Sequence, residues 1–155
     1  MIYTKDSSLK RVYLDVCALS RPFDDQHQVR IQLETNAITI ILEYVKQKEL
    51  ELIVSITHDL EIAPISDLEE RQQLILLLNQ FGTRYPFDLS ITQQRARQLV
   101  TKGLGLGDAT HLAFAEQAQA DFVTVDDRFL KQCHQVPALV WCGTPAAYCD
   151  KEELK

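Results

Sequence analysis

The chain has 155 residues, 46% of them hydrophobic and 25% charged, as expected for one soluble globular domain spanning positions 1–155. Its net charge of −6 argues against a broad basic surface that grips duplex DNA through many phosphate contacts, while leaving room for a local basic rim. No stretch approaches the roughly 18 uninterrupted apolar residues of a membrane span, and Met1–Lys10 lacks the apolar run of a leader, so a cytoplasmic protein with no membrane partner is expected.

Arg11 to Leu14 (R-V-Y-L) alternates and is β-prone; it ends at Asp15, and the polar R-P-F-D-D-Q segment at 21–26 then reads as a loop. From His27 to Lys48 the apolar residues Ile31, Ile38, Ile41, Leu42 and Val45 recur at helical spacing. Leu50 to Ile56 reads as a second strand, Thr57 to Ile62 as a short helix that Pro64 helps to end, and Ser66 with Glu69 as a capping box opening a helix that Gly82 stops. Further helices are expected over Ser90–Lys102 and Asp108–Gln119, the second following the G-L-G-L-G turn. Asp121–Val125 (D-F-V-T-V) reads as a strand leading to Asp126, Asp127–Cys133 as a short helix, Ala138–Trp141 as a fourth strand, and Thr144 and Pro145 as the start of a terminal turn. Strands separated by helices imply a parallel sheet covered on both faces.

In such a sheet the carboxyl ends of the strands share one edge, where ligands bind. Asp15, Glu61, Asp108 and Asp126 are all expected near that edge although they are far apart in sequence. Asp108 and Asp126 could instead be helix caps and Glu61 a solvated helix residue. Asp15, at the end of an apolar strand, needs a partner. Gathered carboxylates repel, and hard oxygen donors without accompanying His or Cys favour Mg²⁺ or Mn²⁺ over zinc, so phosphodiester hydrolysis is the natural chemistry.

Other groups weigh less. His111 lies at i, i+3 from Asp108 and could face the site or sit at the edge of the core; His58 and His27 lie beside polar loops without ligand spacing. Glu34 interrupts an apolar helix stripe and could pair with Arg30 at i, i+4 or point toward Asp15. Arg21 and Arg30 are candidates for steering a nucleic-acid backbone, and Thr124 for orienting Asp126. Cys17, Cys133, Cys142 and Cys149 form no C-x-x-C pair and accompany no secretory feature, so free thiols are expected over disulfides or zinc ligands.

The segments V-Y-L-D-V-C-A-L, V-S-I-T-H-D-L-E, G-D-A-T-H-L-A-F-A and A-D-F-V-T-V-D-D-R-F-L, in this order from Arg11 to about Tyr148, resemble the PIN-domain family. The resemblance implies a three-layer α/β/α sandwich on a central parallel sheet, with Asp15, Glu61, Asp108 and Asp126 as metal-binding and catalytic acids. It also implies Mg²⁺- or Mn²⁺-dependent ribonuclease chemistry on RNA, frequently in a homodimeric toxin restrained by a small antitoxin, as in VapC-type proteins. Asp59 competes with Glu61 for the second acid and Asp127 with Asp126 for the last, the T-x-D spacing favouring Asp126.

A catalytically silent member of the fold that binds nucleic acid or protein is the main rival reading. A receiver-type phosphoacceptor switch would need a Lys at another strand end, and none follows 136–141. A nucleotide-binding enzyme is disfavoured because G-L-G-L-G-D lacks the final Gly of G-x-G-x-x-G and no Walker lysine occurs.

Overall fold

The computed structural model of the protein describes residues 9–155, so the reading of the first ten residues lies, apart from Leu9 and Lys10, outside the described residues. Strands β1 (Lys10–Leu14), β2 (Leu50–Val54), β3 (Gly82–Arg84), β4 (Asp121–Val123) and β5 (Cys142–Gly143) form a five-stranded sheet in the order β3-β2-β1-β4-β5. Every pairing is parallel; β1 sets Lys10 opposite Leu50 and Leu14 opposite Val123. The helices are α1 (Val16–Ser20), α2 (Val29–Lys46), α3 (Ile56–Ile62), α4 (Leu68–Phe81), α5 (Leu89–Thr101), α6 (Leu106–Gln117), α7 (Asp127–Gln135) and α8 (Pro145–Lys151).

Side chains alternate across a strand, so each strand feeds both faces of the sheet. Val12, Leu14, Leu50, Leu52 and Val54 pack with Ala18, Ile38, Ile41, Leu74 and Tyr148, which places α1, α2, α4 and α8 on one face. Tyr13, Ile53 and Phe122 pack with Leu99, Leu112, Phe114 and Phe129, which places α5, α6 and α7 on the other. The result is the expected three-layer α/β/α sandwich. Burying each of these Leu, Ile or Phe side chains contributes about 1.5–3 kcal/mol.

Local signals were misread at several boundaries. Asp15 is followed at once by helix α1, with a single 3₁₀ turn at Arg21–Phe23, because its carboxylate caps the Ala18 N–H. Asp67, not Ser66, caps α4 by accepting from Glu70 N–H at 2.9 Å. Ala138–Trp141 is not a strand: the Leu139 N–H bonds to the Glu116 carboxylate, and sheet pairing begins only when Phe122 N–H reaches Trp141 O. Thr144 and Pro145 open a helix, α8, rather than a turn. Strand β3, absent from the sequence reading, starts at Gly82, where a Cβ would overlap Val54 and lie 2.6 Å from Leu78 O. The four cysteines are free thiols.

Tyr148 carries the one buried side-chain oxygen or nitrogen without a hydrogen-bond partner among the described residues. Leaving such a hydroxyl unsatisfied costs free energy that a phenyl ring does not incur. Tyr148→Phe is therefore expected to stabilise the protein by about 1 kcal/mol, read from the urea midpoint at constant m-value. A loss of stability would mean that the hydroxyl has a partner.

Candidate active site

The strand order turns about β1: β2 and β3 extend to one side, β4 and β5 to the other. Such a reversal opens a crevice at the carboxyl ends of the two central strands. Asp15 directly follows β1 and is only 4% exposed; its Oδ1 accepts from Ala18 N–H at 3.1 Å and from the Cys17 thiol at 3.0 Å. Thr124 directly follows β4 and is fully buried. Its hydroxyl bonds to Asp15 while Oγ1 accepts Asp126 N–H at 3.1 Å, so one side chain joins the two strand ends. Asp126 caps α7 through Phe129 N–H at 3.1 Å. Asp108 lies in the first turn of α6, whose cap is Gly105, and Glu61 lies near the end of α3.

Electrostatics tie these four acids together. Burial, then the charges of Asp126 and Asp15 and more weakly that of Glu61, push the Asp108 carboxyl up to about 6. Burial also raises Asp15, against hydrogen bonds from Thr124 and Cys17. Gly107 leaves room for Glu61 beside α6: a Cβ there would stand 3.2 Å from Glu61 Oε2. Repelling hard-oxygen donors suit a hard divalent cation. Among the described residues, however, no three His, Cys, Asp or Glu side chains are grouped closely enough to hold a metal ion as they stand. Asp108 and Asp126 also line a polar cleft of about 370 Å³ with Gly103, Gly105, Arg128 and Gln132.

A buried layer of hydrogen bonds lies beneath. His111, 2% exposed, sits with Nε2 2.9 Å from Glu61 Oε1 and Nδ1 2.6 Å from the Tyr13 hydroxyl, which in turn is 2.7 Å from Ser55 Oγ. His58 is fully buried rather than beside a loop; its Nε2–H donates to Leu14 O at 2.7 Å and its Nδ1 accepts Ser55 N–H at 3.0 Å. Burial holds His58 down to about 3, so its ring is neutral.

The remaining candidates form a frame around the site. Arg21 and Arg30 both hold the buried Glu34 carboxylate, at 3.0 and 3.5 Å, and Arg30 also forks onto Asp127 with two bonds of 2.8 Å. Glu34 thus points to the arginines, including the expected Arg30, and Asp127 is turned onto Arg30. Asp59 is forked by Arg84 at 2.7 and 2.9 Å. His27 is exposed and bonds to Asp25, and His134 Nε2 donates to Cys142 O at 3.1 Å.

Residues 12–134 match the family model of the PIN domain. The chain belongs to the PIN-domain family. This PIN domain is similar in fold to the crystal structure of FitAcB from Neisseria gonorrhoeae, with 17% identity, a TM-score of 0.53, and coverage of 87% of this chain and 98% of that one. It is likewise similar to FitAB bound to an IR36 DNA fragment, with 19% identity, a TM-score of 0.52, and coverage of 86% and 94%. No curated protein sequence matches it. Among the described residues of this PIN domain no helix is long and apolar enough to cross a membrane.

Sequence reasoning passed over Tyr13, Ser55 and Arg128. Tyr13 sits in an apolar strand and reads as core, its partner His111 being 98 positions away. Arg128 follows Asp126 by two residues on the first turn of α7, a signal that was available, and lines the cleft.

Proposed function

We propose that this PIN domain is a Mg²⁺- or Mn²⁺-dependent endoribonuclease, the toxin of a toxin–antitoxin pair, acting as a homodimer in the cytoplasm. The observation that carries the reading is the Asp108 carboxyl, raised by burial and by Asp126, Asp15 and Glu61, three acids drawn from three other segments of the chain. Family membership supports nuclease chemistry. The toxin–antitoxin part draws on the sequence resemblance to VapC-type proteins and on the fold likeness to FitAB, which was solved with DNA.

Asp15, Glu61, Asp108 and Asp126 would hold the cation. When bound, it supplies Lewis acidity at a phosphate oxygen and lowers the pKa of an attacking water. The chain's own residues do the rest. Thr124 fixes Asp15 and Asp126 relative to each other with a single hydroxyl. Arg128, which lines the cleft and has no carboxylate partner among the described residues, is placed to meet a phosphate. Arg21 and Arg30 are engaged with Glu34, Asp24 and Asp127, so they serve by holding the rim, and meet a substrate phosphate only by exchanging those partners. A second reading, a non-cleaving binder of nucleic acid or protein, draws on the absence of a closed cation cage among the described residues.

The test is cleavage of end-labelled single-stranded RNAs in Mg²⁺, Mn²⁺ or EDTA, with Asp15→Asn in parallel. Asn can still cap α1, so the fold is retained. Cleavage is expected only with metal and is expected to fall at least about 100-fold in the variant, since loss of a group that merely orients a metal ligand already costs about 10–100-fold. Metal-independent cutting, or equal cutting by the variant, would refute the scheme. Folded protein that cuts no RNA in a broad panel would favour the binding module.

A further inference from the structure

Glu61 differs from the other acids in how it is held. Asp15 and Asp126 are fixed by backbone N–H groups as helix caps, whereas the Glu61 carboxylate, 39% exposed, is met by a single buried imidazole. A long, half-exposed Glu otherwise samples several rotamers, and ordering it requires an interaction that outweighs that entropy.

The proton positions along this layer follow from its ends. Nε2 lies 2.9 Å from Glu61 Oε1, so it is the nitrogen placed to donate to the carboxylate, and the neutral ring that fits this geometry is the Nε2–H tautomer. Its Nδ1 then accepts from the Tyr13 hydroxyl at 2.6 Å, which leaves the Tyr13 oxygen free to accept from Ser55 Oγ–H at 2.7 Å. Each donor donates once and each acceptor is filled. The opposite tautomer would turn the bare Nε2 lone pair toward the carboxylate. His58 packs its ring 4.7 Å from Tyr13 and 5.1 Å from His111, with both of its own nitrogens used by Leu14 O and Ser55 N–H, so it supports the layer without competing for its protons.

We infer that His111 is a positioning residue: locked as the Nε2–H tautomer by Tyr13 and Ser55, it aims Glu61 at the cation site shared with Asp108, Asp15 and Asp126. This rests on the carboxylate-site reading above. The two ends of the layer, the buried Ser55 and the Glu61 carboxylate, are joined through one strand residue, Tyr13, and one helix residue, His111. Second-sphere partners of this kind typically contribute 10–100-fold in metal affinity.

The experiment is Mn²⁺ titration of the full chain, followed by electron paramagnetic resonance of free Mn²⁺, together with ¹H–¹⁵N spectra that report the His111 tautomer. Tyr13→Phe deletes one hydroxyl and keeps the ring stacked on Phe122. It is expected to weaken Mn²⁺ binding about 10-fold and to mix the tautomers; because the buried His111 Nδ1 and Ser55 hydroxyl lose a partner, the thermal melt of the metal-free protein falls as well, and binding is compared at a temperature where both proteins are folded. His111→Leu is expected to weaken binding further, and His111→Gln, whose amide can donate to Glu61, to recover part of the loss. A wild-type protein that binds no Mn²⁺ at millimolar concentration would overturn the carboxylate-site reading and this inference with it. Wild-type binding matched by Tyr13→Phe and His111→Leu would overturn the positioning role alone. So would an Nδ1–H tautomer in the wild type, a result that does not depend on any variant folding.

Discussion

Asp108→Asn is expected to stabilise the cation-free protein at neutral pH while abolishing its chemistry. The Asp108 carboxyl is raised from the ordinary 3.8 to about 6, first by burial and then by Asp126, Asp15 and Glu61. The folded state therefore holds this proton more tightly than the unfolded chain does. Its contribution to stability is fully present below about 3.8, is lost as pH rises through about 6, and is absent above that. The gap of about two units corresponds to roughly 3 kcal/mol at 1.36 kcal/mol per unit, and half-exposure of the group lowers the expected figure to about 1–2 kcal/mol. Urea unfolding in EDTA between pH 4.5 and 7.5 is expected to show this loss in the wild type and not in D108N. Adding Mg²⁺ at neutral pH is expected to reverse the order, because a ligand that binds only the folded wild type adds about 2.7 kcal/mol at a hundred times its Kd. RNA cleavage by D108N is expected to fall by at least about 100-fold, by the same comparison with orienting groups. D108N less stable than wild type at pH 7.5 in EDTA would show that Asp108 is favourably paired rather than repelled.

The largest expected loss of stability lies away from the site, at Arg95. Its guanidinium forks onto the Glu116 carboxylate at 2.7 and 3.1 Å, and Glu116 also accepts Leu139 N–H at 2.8 Å. Arg95 reaches Pro137 O as well, so one ion pair ties α5 and α6 to the segment that leads into β5. With the Glu116 side chain only 3% exposed, Arg95→Met leaves a buried charge with one backbone donor. Breaking a buried pair in this way costs about 3–5 kcal/mol; the 18% exposure of Arg95 places the expectation near the lower end, about 3 kcal/mol. The double variant R95M/E116Q is expected to recover much of this, since the Gln oxygen still accepts from Leu139 and no charge is stranded. A loss below about 1 kcal/mol for R95M would mean that water compensates the carboxylate.

How far the sequence could be read depended on whether each signal was local. The apolar period of α2, the acid at the end of β1 and the D-F-V-T-V run are local patterns, and they sufficed to predict the parallel sheet. Strands β3 and β5 were not legible in this way. They comprise Gly82–Arg84 and Cys142–Gly143, too short to alternate, and each is defined by a neighbour already in the sheet. The better apolar run, 138–141, is diverted by Glu116. The contrast between Asp59 and Glu61 was likewise not local: Arg84, on the unpredicted β3, pairs with Asp59, and His111 with Glu61. For Arg30 the local bridge to Glu34 was legible, whereas its fork onto the sequence-distant Asp127 and the bond from Arg21 to Glu34 were not.

The placement of β4 between β1 and β5 has a consequence for how the protein is made. On the ribosome, β1, β2 and β3 emerge early and can pair, but one side of β1 stays open until residues 121–123 have been synthesised. That open side is an unpaired strand edge, the feature that makes nascent chains prone to wrong pairing. The same delay postpones assembly of the carboxylate cluster, because Asp15 does not meet Thr124 and Asp126 until the last third of the polypeptide has begun to leave the tunnel. The four-acid edge of the sheet is thus assembled only after β4 has joined β1.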